Sequence, residues 1–137
     1  MNCKTLNAVF VSLASATMLF GNSASAGTCK DIVGVWHVTG EEVCGTKETL
    51  NFEYRSIDWT FEITNQNGCL FYGDLGSLSP GNIITGSMIK SRITMTAWDA
   101  TFIGNVRGNS RIDFSFSDIA DDESTEQCTG NASAVRM

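Results

Sequence analysis

The stretch Ile32-Val33-Gly34-Val35-Trp36-His37-Val38 has the composition of a β-strand and carries a glycine two residues before a tryptophan. The chain ends on Val135-Arg136-Met137, another strand-like sequence with a cation near its end. If the first and last strands of a sheet pair with each other, the guanidinium of Arg136 can cap the indole of Trp36. The two ends of the chain therefore predict a sheet that closes on itself, with Gly34 allowing close backbone approach at the closure.

Alternation of apolar and polar residues with a period of two runs through the intervening sequence. One such run contains Leu50, Phe52 and Tyr54, and another contains Trp59, Phe61 and Ile63. Further runs cover residues 69–72, 83–88, 91–98, 101–106, 111–117 and 127–136. The pattern predicts an all-β domain, either an antiparallel up-and-down β-barrel of about eight strands or a compact β-sandwich.

Residues 1–26 have the features of a cleavable signal peptide. Lys4 precedes an apolar run over residues 8–20, and Ala24-Ser25-Ala26 supplies a small-x-small cleavage site. The apolar run is too short for a membrane-spanning helix, which needs about 20 residues. We therefore expect a secreted or periplasmic protein that is not inserted in a membrane after cleavage, with one domain spanning residues 27–137.

The charge balance restricts the partners of this domain. Removal of the signal peptide leaves 8 basic and 15 acidic residues, a net charge of −7. Binding to nucleic acid relies on clustered lysine and arginine, so the composition disfavours a nucleic-acid partner and an anionic membrane surface.

Four cysteines remain after the signal peptide, and an even number in an exported chain indicates two disulfides. Three pairings are possible. If the last strand runs antiparallel to the first, Cys128 at its beginning lies near Cys44, and Cys29 is left to pair with Cys69. Metal binding is disfavoured because the sequence has no C-x-x-C motif and His37 is its only histidine.

The chain resembles the calycin-like barrels, the group of lipocalins, fatty-acid-binding proteins and avidins. The resemblance rests on Gly34-Val35-Trp36 in the first strand and Arg136 in the last. It implies a meandering barrel in which Trp36 packs at the closed end and Arg136 lies over it. The sequence does not contain the polar ligand contacts of avidin in their order, and it lacks the further lipocalin motifs. The resemblance therefore implies no particular ligand.

Aromatic side chains that the alternation places inside a barrel are candidates for a ligand pocket. Tyr54, Trp59, Phe61 and Met95 are the predicted pocket walls, and a small, largely apolar molecule is the predicted ligand. The same side chains can instead fill the interior of so small a barrel. No cofactor is predicted.

Acidic residues cluster before the last strand, at Asp118, Asp121, Asp122, Glu123 and Glu126. Clustered carboxylates can hold a hard cation, but their spacing does not match an EF-hand calcium loop, and a solvated turn is the favoured interpretation. They also support a second hypothesis, a secreted or envelope interaction or inhibitor module whose acidic surface binds a basic protein partner.

Catalysis is not expected. His37 follows the inward-facing Trp36 and so faces outward, away from any interior pocket. The sequence contains no G-x-S-x-G motif, and no catalytic residue is assigned.

Overall fold

The computed structural model describes residues 28–46, 51–78, 80–118 and 126–137. The predicted signal peptide, residues 1–26, lies outside these residues, as do Asp121, Asp122 and Glu123 of the acidic stretch. Within the described ranges, no helix has the length and apolar character needed to cross a membrane.

Eight antiparallel strands form a closed barrel in which each strand pairs with its neighbours in sequence. The strands are β1 (Gly34–Thr46), β2 (Phe52–Asn67), β3 (Leu70–Asp74), β4 (Ile83–Ile89), β5 (Arg92–Ala97), β6 (Ala100–Arg107), β7 (Arg111–Asp118) and β8 (Glu126–Arg136). β1 pairs with both β2 and β8, and this second pairing closes the barrel. The predicted up-and-down barrel is therefore confirmed and the sandwich alternative is wrong.

The two alternating runs around Tyr54 and Trp59 belong to one continuous strand, β2. Because side chains in a strand alternate between its faces, Phe52 and Tyr54 lie on the face opposite to Trp59 and Phe61. Tyr54 is 84% exposed, so its predicted position on an interior wall is wrong. A turn or a one-residue bulge between the two runs would have been needed to put all these rings inside.

The barrel interior is filled by a column of aromatic rings. Trp36 stacks on Phe61 at a centroid distance of 6.2 Å, Phe61 lies 5.7 Å from Trp59, and Trp59 lies 6.2 Å from Phe102. The column continues to Phe116, at 5.8 Å from Phe102. Each such contact contributes about 0.5–1.5 kcal/mol beyond the burial of apolar area, so the column is a main source of stability.

Three phenylalanines of the interior lie directly opposite a glycine on the neighbouring strand. These pairs are Phe71 with Gly86, Phe114 with Gly104, and Phe116 with Gly130. A β-carbon at Gly104 would lie 2.6 Å from the β-carbon of Phe114, which is closer than two non-bonded carbon atoms approach each other. Because each of these rings faces a glycine, which has no side chain, the narrow barrel has room to enclose so many rings.

One end of the barrel is closed by Trp36 and Arg136, which are directly opposite in the β1–β8 register. The guanidinium carbon of Arg136 lies 6.0 Å from the centroid of the Trp36 ring, and its Nη2 donates to the backbone oxygen of Val33. Gly34 has a φ of +141°, and a β-carbon there would lie 3.0 Å from Nε of Arg136. Gly34 therefore makes room for the guanidinium.

Residues 28–33 lie across this closed end. Ile32 is fully buried, its backbone oxygen accepts a 2.9 Å hydrogen bond from the Trp36 indole, and its backbone N–H donates to Gln66. A disulfide between Cys29 and Cys69 fixes the segment to the turn between β2 and β3. The second disulfide joins Cys44 and Cys128, which are opposite each other in β1 and β8. Both bonds agree with the pairing favoured from the sequence.

Candidate functional site at the open end of the barrel

The end of the barrel opposite to Trp36 is the open end. The strand ends that lie there are Thr46, Phe52, Asp74, Ile83, Ala97, Ala100, Asp118 and Glu126. The connections between β3 and β4 and between β5 and β6 are described almost completely and form one side of this opening. Ligand sites in barrels commonly lie at such mouths.

A pocket of ≈ 270 Å³ opens between these two connections. The residues that line it are Leu75, Leu78, Ala97, Trp98, Asp99, Ala100, Phe102 and Asp118. One of these residues is Phe102, which belongs to the aromatic column and lies 6.2 Å from Trp59. The volume is just below the usual range of ligand pockets, about 300–1,000 Å³, so the pocket suits a small molecule.

Trp98 forms the rim of this pocket. Its side chain is 74% exposed, whereas Trp36 and Trp59 are buried. It occupies the two-residue turn between β5 and β6 with a φ of +57°, a conformation that bulky residues rarely adopt. Lys90, in the two-residue turn between β4 and β5, has a similar φ of +60°, so this backbone conformation belongs to the turn geometry. The feature that makes Trp98 a candidate ligand contact is its exposed indole beside the pocket.

Charged side chains continue the site around the mouth. Glu42 and Arg55 are opposite each other in the β1–β2 register, and both have the parity of the inward-facing side chains of their strands. Arg55 binds both oxygens of Glu126, at 2.7 and 3.1 Å, and one oxygen of Glu53 at 2.6 Å. Arg55 therefore joins β2 to β8 across β1.

The carboxylates at the mouth outnumber this guanidinium, and ionisation of two of them, Glu42 and Asp118, is disfavoured. Burial raises the pKa of Glu42, the charge of Asp118 raises it further, Arg55 opposes the rise and Glu126 adds to it. Burial also raises the pKa of Asp118, with further contributions from Asp99 and Glu126. A cation placed among these groups would offset their mutual repulsion, so the mouth favours positive charge electrostatically.

Three of the four predicted pocket residues lie in the packed interior. Trp59, Phe61 and Met95 are at most 7% exposed and belong to the core, and none of them lines the pocket at the open end. Tyr54 lies on the outer surface, beside a shallow groove next to Val43 and Thr129. The residues assigned to closure, Gly34, Trp36 and Arg136, lie together at the opposite end.

The sequence reasoning missed Trp98 and Arg55. The sequence assigned Trp98 to the end of a strand over residues 91–98, where it follows the inward-facing Ala97 and so faces away from the interior. In the structure β5 ends at Ala97, and Trp98 belongs to the turn. The pairing of Arg55 with Glu126 joins residues 71 positions apart and has no local sequence signal.

His37 faces outward, as the alternation predicts, and its Nε2 lies 2.7 Å from Asp58. Among the described residues, Glu42 comes within metal-ligand range of Cys44 and Cys128. Those two sulfurs are joined in a disulfide, so they have no thiolate to offer a metal.

The described part of the chain thus defines an eight-stranded antiparallel closed barrel with an acidic, indole-rimmed pocket at one end, an architecture compatible with the calycin-like fold. Comparison with known proteins found no matching family model, no matching curated protein and no matching solved structure.

Proposed function

We propose that this barrel is an exported binding protein of calycin-like type whose site is the pocket at its open end. The ligand is small and largely apolar and carries one positive charge. The observation that carries the proposal is Trp98, an exposed indole at the rim of a pocket that also contains Asp99 and Asp118. The two disulfides are consistent with the oxidising compartment that export implies.

The pocket offers a separate partner for each part of such a molecule. Leu75, Leu78 and Phe102 provide apolar surface, which favours a hydrocarbon body. The indole of Trp98 attracts a cation by its ring quadrupole, and Asp118, which also lines the pocket, adds a negative charge. An ammonium group bound here would also stabilise the ionised form of Asp118.

The aromatic interior explains why the ligand is small. Because Trp59, Phe61 and Phe102 fill the barrel beneath the mouth, a long acyl chain has no space to enter. The site is therefore confined to the mouth, in contrast to the deep pocket that the sequence suggested as one alternative.

A fluorescence titration tests this function with phenethylamine, which is cationic at pH 7, and 2-phenylethanol, its neutral counterpart of similar shape. We expect the amine to change the emission of Trp98 and to bind about tenfold more tightly than the alcohol. Trp98→Ala should abolish the change, and Asp118→Asn should weaken binding of the amine while leaving binding of the alcohol unaltered.

Tyr72→Ala is the matched control, because Tyr72 is an exposed aromatic residue on the outer face of β3, away from the pocket. Its binding of phenethylamine should equal that of the unmodified protein. Equal affinity for amine and alcohol, or a response that survives Trp98→Ala, would refute the proposed site.

The alternative function, an interaction module for a basic protein, is favoured by the same acidic mouth. In that case a lysine or arginine side chain of the partner would enter between Asp99 and Asp118. A poly-lysine peptide that binds in a salt-sensitive manner, together with no response to phenethylamine, would favour this alternative.

A further inference from the structure

The outer wall of the barrel near its closed end carries a group of exposed basic residues. They are Lys90, Arg92, Arg107 and Arg111, on neighbouring strands β5, β6 and β7 and the turn before β5. Arg107 is directly opposite Arg111, and Arg92 is directly opposite Asn105. With Asp113 included, this group has a charge of +3, in a chain whose net charge is −6.

Asp113 holds two of these guanidinium groups in place. Its two oxygens accept hydrogen bonds from Nε of Arg107 at 2.6 Å and from Nε of Arg111 at 2.7 Å. Ser133 completes the arrangement, because it donates to Asp113 at 2.8 Å and accepts from Nη2 of Arg111 at 2.9 Å. The two arginines are therefore preorganised, which reduces the entropy lost when they bind an anion.

A single carboxylate cannot neutralise both arginines. The bonds from Arg111, Ser133 and Arg107 lower the pKa of Asp113 to about 2, so this side chain is ionised at neutral pH. Like charges directly opposite each other in a sheet are destabilising, and Asp113 leaves one net positive charge at Arg107 and Arg111, which a bound anion would offset.

A shallow groove of ≈ 380 Å³ runs along the wall beside Arg111. Its polar side chains, apart from the charged pair Arg111 and Asp113, are Asn105, Ser115, Asn131 and Ser133. Amides and hydroxyls of this kind donate and accept hydrogen bonds without charge, which suits the hydroxyl groups of a polyol.

We propose that this flank of the barrel binds a phosphorylated sugar or polyol, with the phosphate on Arg107 and Arg111 and the hydroxylated part in the groove. Guanidinium groups bind phosphate with paired, charge-assisted hydrogen bonds. The acidic remainder of the chain repels an extended polyanion, so the ligand is a compact anion. The site lies at the opposite end from the pocket of Trp98 and is independent of it.

Titration calorimetry with glucose 6-phosphate, glucose and inorganic phosphate tests this proposal. Glucose 6-phosphate should bind more tightly than either of the other two. Arg107→Gln and Arg111→Gln should each weaken its binding by about tenfold or more, the loss expected for a charge-assisted hydrogen bond. Arg111→Lys keeps the positive charge but loses the paired donors of the guanidinium. Its affinity for glucose 6-phosphate should therefore lie between that of Arg111→Gln and that of the unmodified protein.

Lys47→Gln is the control, because it removes one positive charge from the sequence between β1 and β2 and should leave the affinity unchanged. Equal affinity for glucose 6-phosphate and inorganic phosphate would overturn the assignment of a sugar or polyol. Unchanged binding in both arginine variants, or no binding of glucose 6-phosphate, would overturn the site itself. The affinity of Arg107→Gln for phenethylamine should equal that of the unmodified protein, because the pocket of Trp98 is a separate site.

Discussion

Trp36 and Arg136 lie directly opposite each other in the β1–β8 register, with the guanidinium carbon 6.0 Å from the indole centroid. Two residues 100 positions apart in sequence thus join the first strand to the last. The contact itself contributes about 0.5–2 kcal/mol, whereas the burial of the indole contributes more. Trp36 and Arg136 at the closed end therefore stabilise the fold, and the opposite end is left available for binding.

Replacement of Trp36 by alanine should cost about 3–5 kcal/mol of the free energy of unfolding, because it removes a fully buried ring that stacks on Phe61. Urea denaturation measures this loss. Trp98→Ala is the matched control and should change stability by less than about 0.5 kcal/mol, since its ring is exposed. Similar losses in the two variants would contradict the assignment of the two ends.

Loss of the Cys29–Cys69 disulfide should release residues 28–33 from the closed end. The bond closes a loop with a sequence separation of 40, so the variant Cys29→Ser with Cys69→Ser should lose about 2–4 kcal/mol of stability. Hydrogen exchange should show faster exchange at the backbone N–H of Ile32, which bonds to Gln66.

The Cys44–Cys128 disulfide provides the comparison, because it lies toward the open end. Its removal by serine substitution should leave the exchange protection of Ile32 unchanged under conditions where the barrel remains folded. Equal loss of protection in both double variants would show that residues 28–33 are not held separately by Cys29.

The acidic mouth should make the folded state more stable on mild acidification. The folded-state pKa values of Glu42 and Asp118 are raised, so each carboxyl binds its proton more tightly in the folded chain than in the unfolded chain. Their ionisation therefore destabilises the protein at neutral pH. This penalty disappears as the pH falls through the raised pKa values toward the ordinary values of 4.5 and 3.8.

Glu42→Gln and Asp118→Asn should accordingly raise the melting temperature at pH 7 and lose this advantage below about pH 4. Asp113→Asn should behave in the opposite sense, because bonds from Arg111, Ser133 and Arg107 lower the pKa of Asp113 to about 2. The ionised Asp113 stabilises the folded state fully at pH values above its ordinary pKa of 3.8, and this stabilisation is lost as the pH falls through about 2. A melting temperature of Asp118→Asn below that of the unmodified protein at pH 7 would contradict the first prediction.

The fold could be predicted because its signals are local. Alternation around Trp59 and Phe61, and strand-like sequences at both ends of the chain, require no knowledge of contacts. Closure of β1 on β8 then brought Cys44 beside Cys128, which left Cys29 for Cys69.

The site could not be predicted, because it depends on register between strands that are distant in sequence. Tyr54 and Trp59 are both aromatic, and only the continuity of β2 shows that they lie on opposite faces. The Phe114–Gly104 pair likewise depends on the register of β6 and β7, and such pairs let the barrel interior be filled with rings. The sequence assigned Trp98 to the strand over residues 91–98, whereas β5 ends at Ala97 and Trp98 lies exposed in the turn.

Titration with phenethylamine, followed by the NMR signals of the three tryptophan indole N–H groups, tests the proposed function most directly. Trp36 and Trp59 are buried in the interior, whereas Trp98 lines the pocket at the open end. We expect the signal of Trp98 to move in a saturable manner, together with the backbone signals of Asp99 and Asp118, while that of Trp36 stays fixed. No movement of Trp98, or an equal movement of Trp36, would contradict a binding site at the mouth.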